Sequence, residues 1–204
     1  MDTYTVLPNP VISKKGIISE KFLSLKIKNF WDACSYVHEL PYGYNSTTDD
    51  ILILFKERYG SCTTKHAVIA TLAKELKIPI YKTVGIYAMN EEIVTGTNHI
   101  LVKYHLPYLP MNHCFLVYDS YRIDLTEGNN NGKNRSIEDF LFTEKVIPNI
   151  SEKDEYLLYK TALKNHILNR KEIEGIKLID VLRGRIDGIA LLRSKVSLKY
   201  QKME

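Results

Sequence analysis

Cysteine is scarce in this sequence: Cys34, Cys62 and Cys114 are three in 204 residues. So sparse and odd a set excludes a disulfide framework as the main source of stability and points to a reducing compartment. Long apolar runs are lacking too, and no stretch approaches the roughly 18 uninterrupted apolar residues of a membrane-spanning helix. The opening Met-Asp-Thr-Tyr-Thr-Val-Leu-Pro-Asn-Pro has neither the basic start nor the apolar core of a secretory signal. A cytoplasmic location and no membrane partner are the expectations. Charge of one sign is in short supply over most of the chain. Residues 1–150 carry 16 Lys/Arg against 16 Asp/Glu, so the net +4 arises in residues 151–204, with 12 against 8. An excess that mild reads as a solvated helix face, and no nucleic-acid partner is expected. Internal repeats are absent, and Asn129-Asn130-Asn131 reads as a loop.

What is present suits a globular chain, with 45% hydrophobic and 25% charged residues. Residues 1–19, with Pro8, Pro10 and Gly16, read as an irregular or strand-like segment. From Glu20 to Leu40, Leu23, Ile27, Phe30, Cys34 and Val37 recur at helical spacing, and Pro41 closes the segment. A loop over Pro41–Asn45 precedes a second helix, capped by Thr47, Thr48 or Asp49 and running to about Tyr59. A third helix begins at Ser61 or Cys62 and ends before Pro79, because proline disfavours helical geometry in the residue preceding it. Strands are predicted over Ile80–Tyr87 and Ile100–Tyr104. His113–Tyr118 and Tyr121–Leu125 are predicted to form an antiparallel hairpin around Asp119-Ser120. From Ser136 onward the pattern is mostly helical. Helices, then sheet, then helices make an α+β fold: a core over 20–150 and a helical extension over 151–204 packed on it.

The chemistry centres on Gly60-Ser61-Cys62. A cysteine in the first turn of a helix meets free backbone N–H groups and partial positive charge. Both favour thiolate, the nucleophilic form. The same N–H groups can hold the oxyanion of a tetrahedral intermediate. Gly60 would allow a sharp turn and the approach of a substrate backbone. The position equally suits a small buried residue, so the hairpin matters. If its turn has an even number of residues, His113 and Asp124 share a face, opposite or one diagonal step apart. An aspartate there can fix the imidazole tautomer while the other ring nitrogen serves the thiol.

These residues in this order resemble the transglutaminase-like superfamily, papain-like in the broad sense. The likeness rests on Gly60-x-Cys62 opening an alanine- and leucine-rich helix, then Leu76-Lys77-Ile78-Pro79 and a strand. His113-Cys114-Phe115 and Asp124-Leu125-Thr126 complete it, and it covers roughly residues 25–127. Lys77 stands where that family usually has glycine, Phe115 where many members have tryptophan, and Leu125 where proline is common. The resemblance implies a Cys62–His113–Asp124 triad acting on amide or ester bonds through an acyl-enzyme. Hydrolysis of a protein or peptide substrate is the first expectation and transfer to an amine the second. A binding module that kept the fold without catalysis is the reading from another class. For the oxyanion, the Cys62 N–H and the Tyr44 hydroxyl are the candidates, with Tyr42 and Trp31 also nearby in sequence.

No cofactor and no metal are expected. His66 lies one turn after Cys62, yet adjacent strand residues His113 and Cys114 point to opposite faces and cannot both reach one ion. His66 is expected to pack or to support the site from behind, and Cys34 and Cys114 to lie in the core. Asp119 reads as a turn residue. The helix carrying Tyr156, Leu157, Tyr159, Leu163 and Ile167, and the one over Ile176–Leu192, are expected to pack on the core.

Overall fold

Asn29 accepts the backbone N–H of Asp32 on its side-chain oxygen at 2.9 Å, which starts a helix at Phe30. In the computed structural model, which describes residues 3–200, this helix is α2 (Phe30–Glu39). The expected single helix over 20–40 is therefore two. α1 (Ile17–Ser24) ends where Lys26 turns left-handed, at φ 63°. The break has a physical cause: the incoming N-terminal strand segment pairs there, with Ile12 N–H on Lys28 O and Phe30 N–H on Pro10 O. The start of α1 is satisfied from a distance, since the Glu75 carboxylate accepts from Ile18 N and Ser19 N at 3.0 and 2.7 Å.

α3 (Ile53–Glu57) is shorter than expected, ending at left-handed Arg58. α4 (Cys62–Glu75) begins at the expected residue, with Ser61 as its N-cap. Its end is a Schellman turn: Ile78 N–H reaches Ala73 O, Lys77 N–H reaches Lys74 O, and Lys77 is left-handed at φ 60°. That geometry stops the helix before Pro79 exerts any effect.

The strands are β1 (Ile80–Met89), β2 (Leu109–Tyr118), β3 (Tyr121–Ile123) and β4 (Phe142–Val146). They form one antiparallel sheet in the order β3-β2-β1-β4. With seven α-helices among the described residues, the fold is α+β. The chain divides into two compact units. One comprises 1–84, 114–129 and 145–152, and the other 85–113, 130–144 and 153–204. The chain passes from one unit to the other within β1, after Val84, and within β2, after His113.

In the first unit α4 is the central element. Val68, Ile69, Leu72 and Ala73 pack with Ile18 and Phe22 of α1, Cys34 and Val37 of α2, Leu54, and Leu116, Ile123 and Leu125. The second unit holds α5 (Thr97–Tyr104), α6 (Glu152–Ala162) with a π-helical turn over Leu163–Ile167, and α7 (Leu178–Tyr200). Gly184 and Gly188 bring α7 close to Leu109, Met111 and Met89. Tyr159, fully buried, donates to Pro110 O at 2.8 Å. Among the described residues no helix is long and apolar enough to cross a membrane.

Two expectations fail in this second unit. Ile100–Tyr104 lies in helix α5, not in a strand. Glu91 decides this: its carboxylate accepts from Gly96 N and Asn98 N, both at 2.8 Å, and so satisfies the helix start. Downstream of Ser136 the chain forms β4 before any helix. Leu141 N–H on Ile86 O ties the approach of this strand to β1.

Candidate functional site

Cys62 is the first residue of a 14-residue helix and is nine-tenths covered, at 9% exposure. The segment before it is held flat against another. Gly60 N–H donates to Pro41 O and Gly43 N–H to Gly60 O, with Tyr42 and Gly60 in a parallel bridge. Gly60 is not in the left-handed region, which corrects the expected sharp turn. Nor is the space at its Cα reserved for a substrate. A Cβ there would meet Leu54 Cδ1 at 2.4 Å and Thr64 Oγ1 at 2.6 Å. Glycine is required by packing of the chain on itself.

The loop Pro41–Ser46 is fastened beside the first turn of α4. Thr64 Oγ1 donates to Asn45 Oδ1 at 2.7 Å, and Asn45 Nδ2 donates to Tyr59 O and to Glu57, both at 2.8 Å. Ser46 donates to the same Glu57 carboxylate, and these donors hold Glu57 below the usual carboxylate range. Tyr44, half-buried, lies in this loop with its ring edge-on to buried Tyr42 at 5.9 Å. Trp31 is occupied elsewhere, donating to Leu7 O.

The hairpin has the even turn that the reading needed. Leu116 pairs with Ile123, Val117 with Arg122 and Tyr118 with Tyr121, leaving Asp119 and Ser120 as a two-residue turn. Asp119 is left-handed at φ 52°, a turn residue as expected. Cys114, Leu116, Ile123 and Leu125 are buried with no exposure, and Thr63 Oγ1 lies 3.7 Å from Cys114 Sγ. Alternation along β2 sends His113 and Phe115 to the other side. There Arg122 covers the Phe115 ring at 5.7 Å. His113, in the second unit, is buried at 2% exposure with its ring edge-on to Tyr87 at 6.5 Å.

Asp124 follows β3 directly. Its Oδ1 accepts from Thr126 N at 2.8 Å and Thr126 Oγ1 at 2.7 Å, so the Asp-x-Thr spacing folds into a local turn that fixes the carboxylate. The first unit brings Cys62 and Asp124 into one cluster through His66, which is fully buried. Leu125 N–H donates to His66 Nε2 at 2.8 Å, which makes Nε2 the acceptor. Nδ1 then carries the proton and donates to Cys62 O at 2.8 Å. Asp124 Oδ1 lies 3.5 Å from Nε2. His66 packs in the interior beside the first turn of α4, as expected, with both nitrogens engaged.

Two buried lysines flank this cluster, and sequence reasoning missed both. Lys65 Nζ donates to His38 O at 3.0 Å and to Leu40 O, orphan carbonyls at the end of α2 that Asn129 Nδ2 also serves. Burial pulls the Lys65 ammonium down to about 7, against the opposing pull of the Asp124 and Glu39 carboxylates. Lys82 Nζ, also without exposure, donates to Thr63 O at 3.1 Å. Position Lys65 sits between Thr64 and His66 on an α4 buried nearly all round, the one signal that could have found it. Cys34 is buried, which pushes its thiol far above the usual range. Among the described residues no group of three or more His, Cys, Asp or Glu is arranged to hold a metal ion.

In comparisons with known proteins, no family model, no curated protein and no solved structure matches the chain.

Proposed function

We propose that the chain is a cysteine-nucleophile enzyme with a transglutaminase-like core, hydrolysing amide or ester bonds in a peptide or protein. The observation that carries this reading is Cys62 as the opening residue of α4, the centre of its unit's core. A thiol there meets the N–H groups and positive end of a long helix. The two-residue turn adds support, since it puts odd positions of β2 on the face of even positions after the turn. His113 and Asp124 satisfy that parity.

In this mechanism the Cys62 thiolate forms a bond to the acyl carbon while His113 has taken the thiol proton. His113 returns that proton to the departing amine or alcohol as the bond to it breaks. Asp124 orients the His113 ring, and the Cys62 N–H, with the Tyr44 hydroxyl as second donor, stabilises the oxyanion. Water then attacks the thioester, losing a proton to His113; the carbon–sulfur bond breaks to release the carboxylic acid, and His113 returns the proton to the Cys62 sulfur. An amine in place of water would give transamidation. Water is preferred because it requires no second-substrate pocket.

The near-complete cover of Cys62 favours a second reading, a binding module that kept the fold. Alkylation separates the two. Cys62 is expected to react with iodoacetamide faster than Cys34 or Cys114, and to do so still at pH 6, where an ordinary thiol of pKa about 8.5 is nearly all protonated. Peptide mapping by mass spectrometry reads the result. Equal labelling of the three cysteines, or none at Cys62, would sink the catalytic reading in favour of the module.

A further inference from the structure

We propose that His66 is a positioning residue for this chemistry, the rigid link that fixes the Asp124–Leu125 peptide to the first turn of the Cys62 helix. The inference rests on the reading of Cys62 and Asp124 given above. Helical periodicity places the side chain at 66 over the turn that begins at 62. Its Nδ1–H meets Cys62 O at 2.8 Å, and its Nε2 receives Leu125 N–H at 2.8 Å. One planar ring therefore spans from the nucleophile's own peptide to the peptide that follows Asp124. The ring has no exposed surface, so bulk water does not compete for either bond.

The next peptide, Leu125–Thr126, is held as well. His38 Nδ1 lies 3.2 Å from Leu125 O, and a carbonyl requires that this nitrogen donate. The Leu125 N–H and C=O are thus both committed, one to α4 and one to α2. The N–H of that second peptide, Thr126 N, and Thr126 Oγ1 orient the Asp124 carboxylate. Asp124 Oδ1 comes within 3.5 Å of His66 Nε2, but that nitrogen holds no hydrogen to give while it accepts from Leu125. His66 accordingly holds the Asp124 backbone without taking its carboxylate as an acceptor. Lys65, the preceding residue, anchors the same turn of α4 to His38 O and Leu40 O.

The test has two arms, both on the full chain. Nitrogen-15 NMR of the imidazoles is expected to show His66 protonated at Nδ1, unprotonated at Nε2, and coupled through the hydrogen bond to the Leu125 amide. The second arm follows Cys62 alkylation by iodoacetamide from pH 5 to 9 in His66→Leu, His66→Gln, Asp124→Asn and the His66→Leu/Asp124→Asn double variant. His66→Leu should slow alkylation at pH 6 by roughly ten- to a hundredfold, the scale of a misplacement of about 1 Å. Its pH profile should match that of Asp124→Asn, and the double variant should be no slower than either single one. His66→Gln offers an oxygen to Leu125 N–H and should recover most of the rate. Should His66→Leu fail to fold, His66→Asn, which keeps only the donor to Cys62 O, replaces it. Additive effects, an unshifted profile, or the opposite tautomer would overturn the proposal. Wild-type Cys62 alkylating no faster than Cys34 and Cys114 would instead sink the proposed function, and the NMR arm would still decide the link.

Discussion

Lys65 donates its ammonium group to the backbone carbonyl of His38 at 3.0 Å from a side chain with no exposed surface. Burial holds this group down to about 7, well below the ordinary lysine value. Between about pH 7 and 10.5 the unfolded chain therefore keeps a proton that the folded one has shed. Stability rises with pH across that window, by at most about 1.4 kcal/mol per pH unit, and the full cost of burial is present below it. Lys65→Met should flatten the slope, with Asn129 Nδ2 still serving both His38 O and Leu40 O. Urea unfolding of both proteins at pH 6, 8 and 10 measures the difference. A difference that stays constant with pH would mean that Lys65 is charged throughout.

Lys77 occupies the left-handed position of the Schellman turn that ends α4. A side chain costs roughly 1 kcal/mol there, a cost that glycine does not carry. Lys77→Gly is expected to raise stability by a few tenths to about 1 kcal/mol, and Lys77→Val to lower it. Thermal melting reads both. Identical melting temperatures for the two would show that this turn does not hold in solution.

Gly188 is required by packing instead of by backbone geometry. A Cβ at this position would lie 2.6 Å from Leu109 Cδ2, 3.2 Å from Met111 Sδ and 3.3 Å from Met89 Cε. Gly188→Val should destabilise by about 1–3 kcal/mol through overpacking, despite the better helix propensity of valine over glycine. Ile186→Ala, at a position 66% exposed on the same helix, should stay within about 0.5 kcal/mol. Equal effects of the two would contradict the packing of α7 against Leu109.

What the sequence made legible was whatever local pattern decides. The start of α4 at Cys62 and the hairpin about Asp119-Ser120 followed from local pattern and turn chemistry, whereas α4 ends at the left-handed Lys77, ahead of the point that Pro79 would set. The elements that were misread depend on partners distant in sequence. α5 is a helix because Glu91 reaches forward to Gly96 and Asn98. The 20–40 helix breaks because Pro10 and Ile12 pair with Phe30 and Lys28. β4 is a strand by virtue of the sheet edge that it joins. For the proposed triad Cys62, His113 and Asp124, the even turn that the parity argument needs was readable, whereas the bonds of His66 and Lys65 were not. Their partners are carbonyls and an N–H at His38, Leu40, Cys62 and Leu125, and backbone groups carry no sequence signature.

The two candidate carboxylates can be told apart because each has a different local task. Asp119 sits at the tip of the hairpin at φ 52°, where asparagine is as well accommodated as aspartate. Asp119→Asn should therefore leave both fold and chemistry unchanged. Asp124 accepts from Thr126 N and Oγ1 on one oxygen, and an asparagine oxygen can keep both bonds. Asp124→Asn should consequently melt within a few degrees of the wild type. The amide, however, offers a donor where an imidazole N–H needs an acceptor, so His113 would lose its preferred tautomer. Hydrolysis of an activated aryl ester, followed by release of the aryl alcohol, should fall by roughly 10²–10⁴-fold, the scale of lost general acid–base function. The comparison holds only between variants that retain their melting temperature. A normal rate in Asp124→Asn together with a crippled Asp119→Asn would remove Asp124 from the proposed triad and hand its role to the turn.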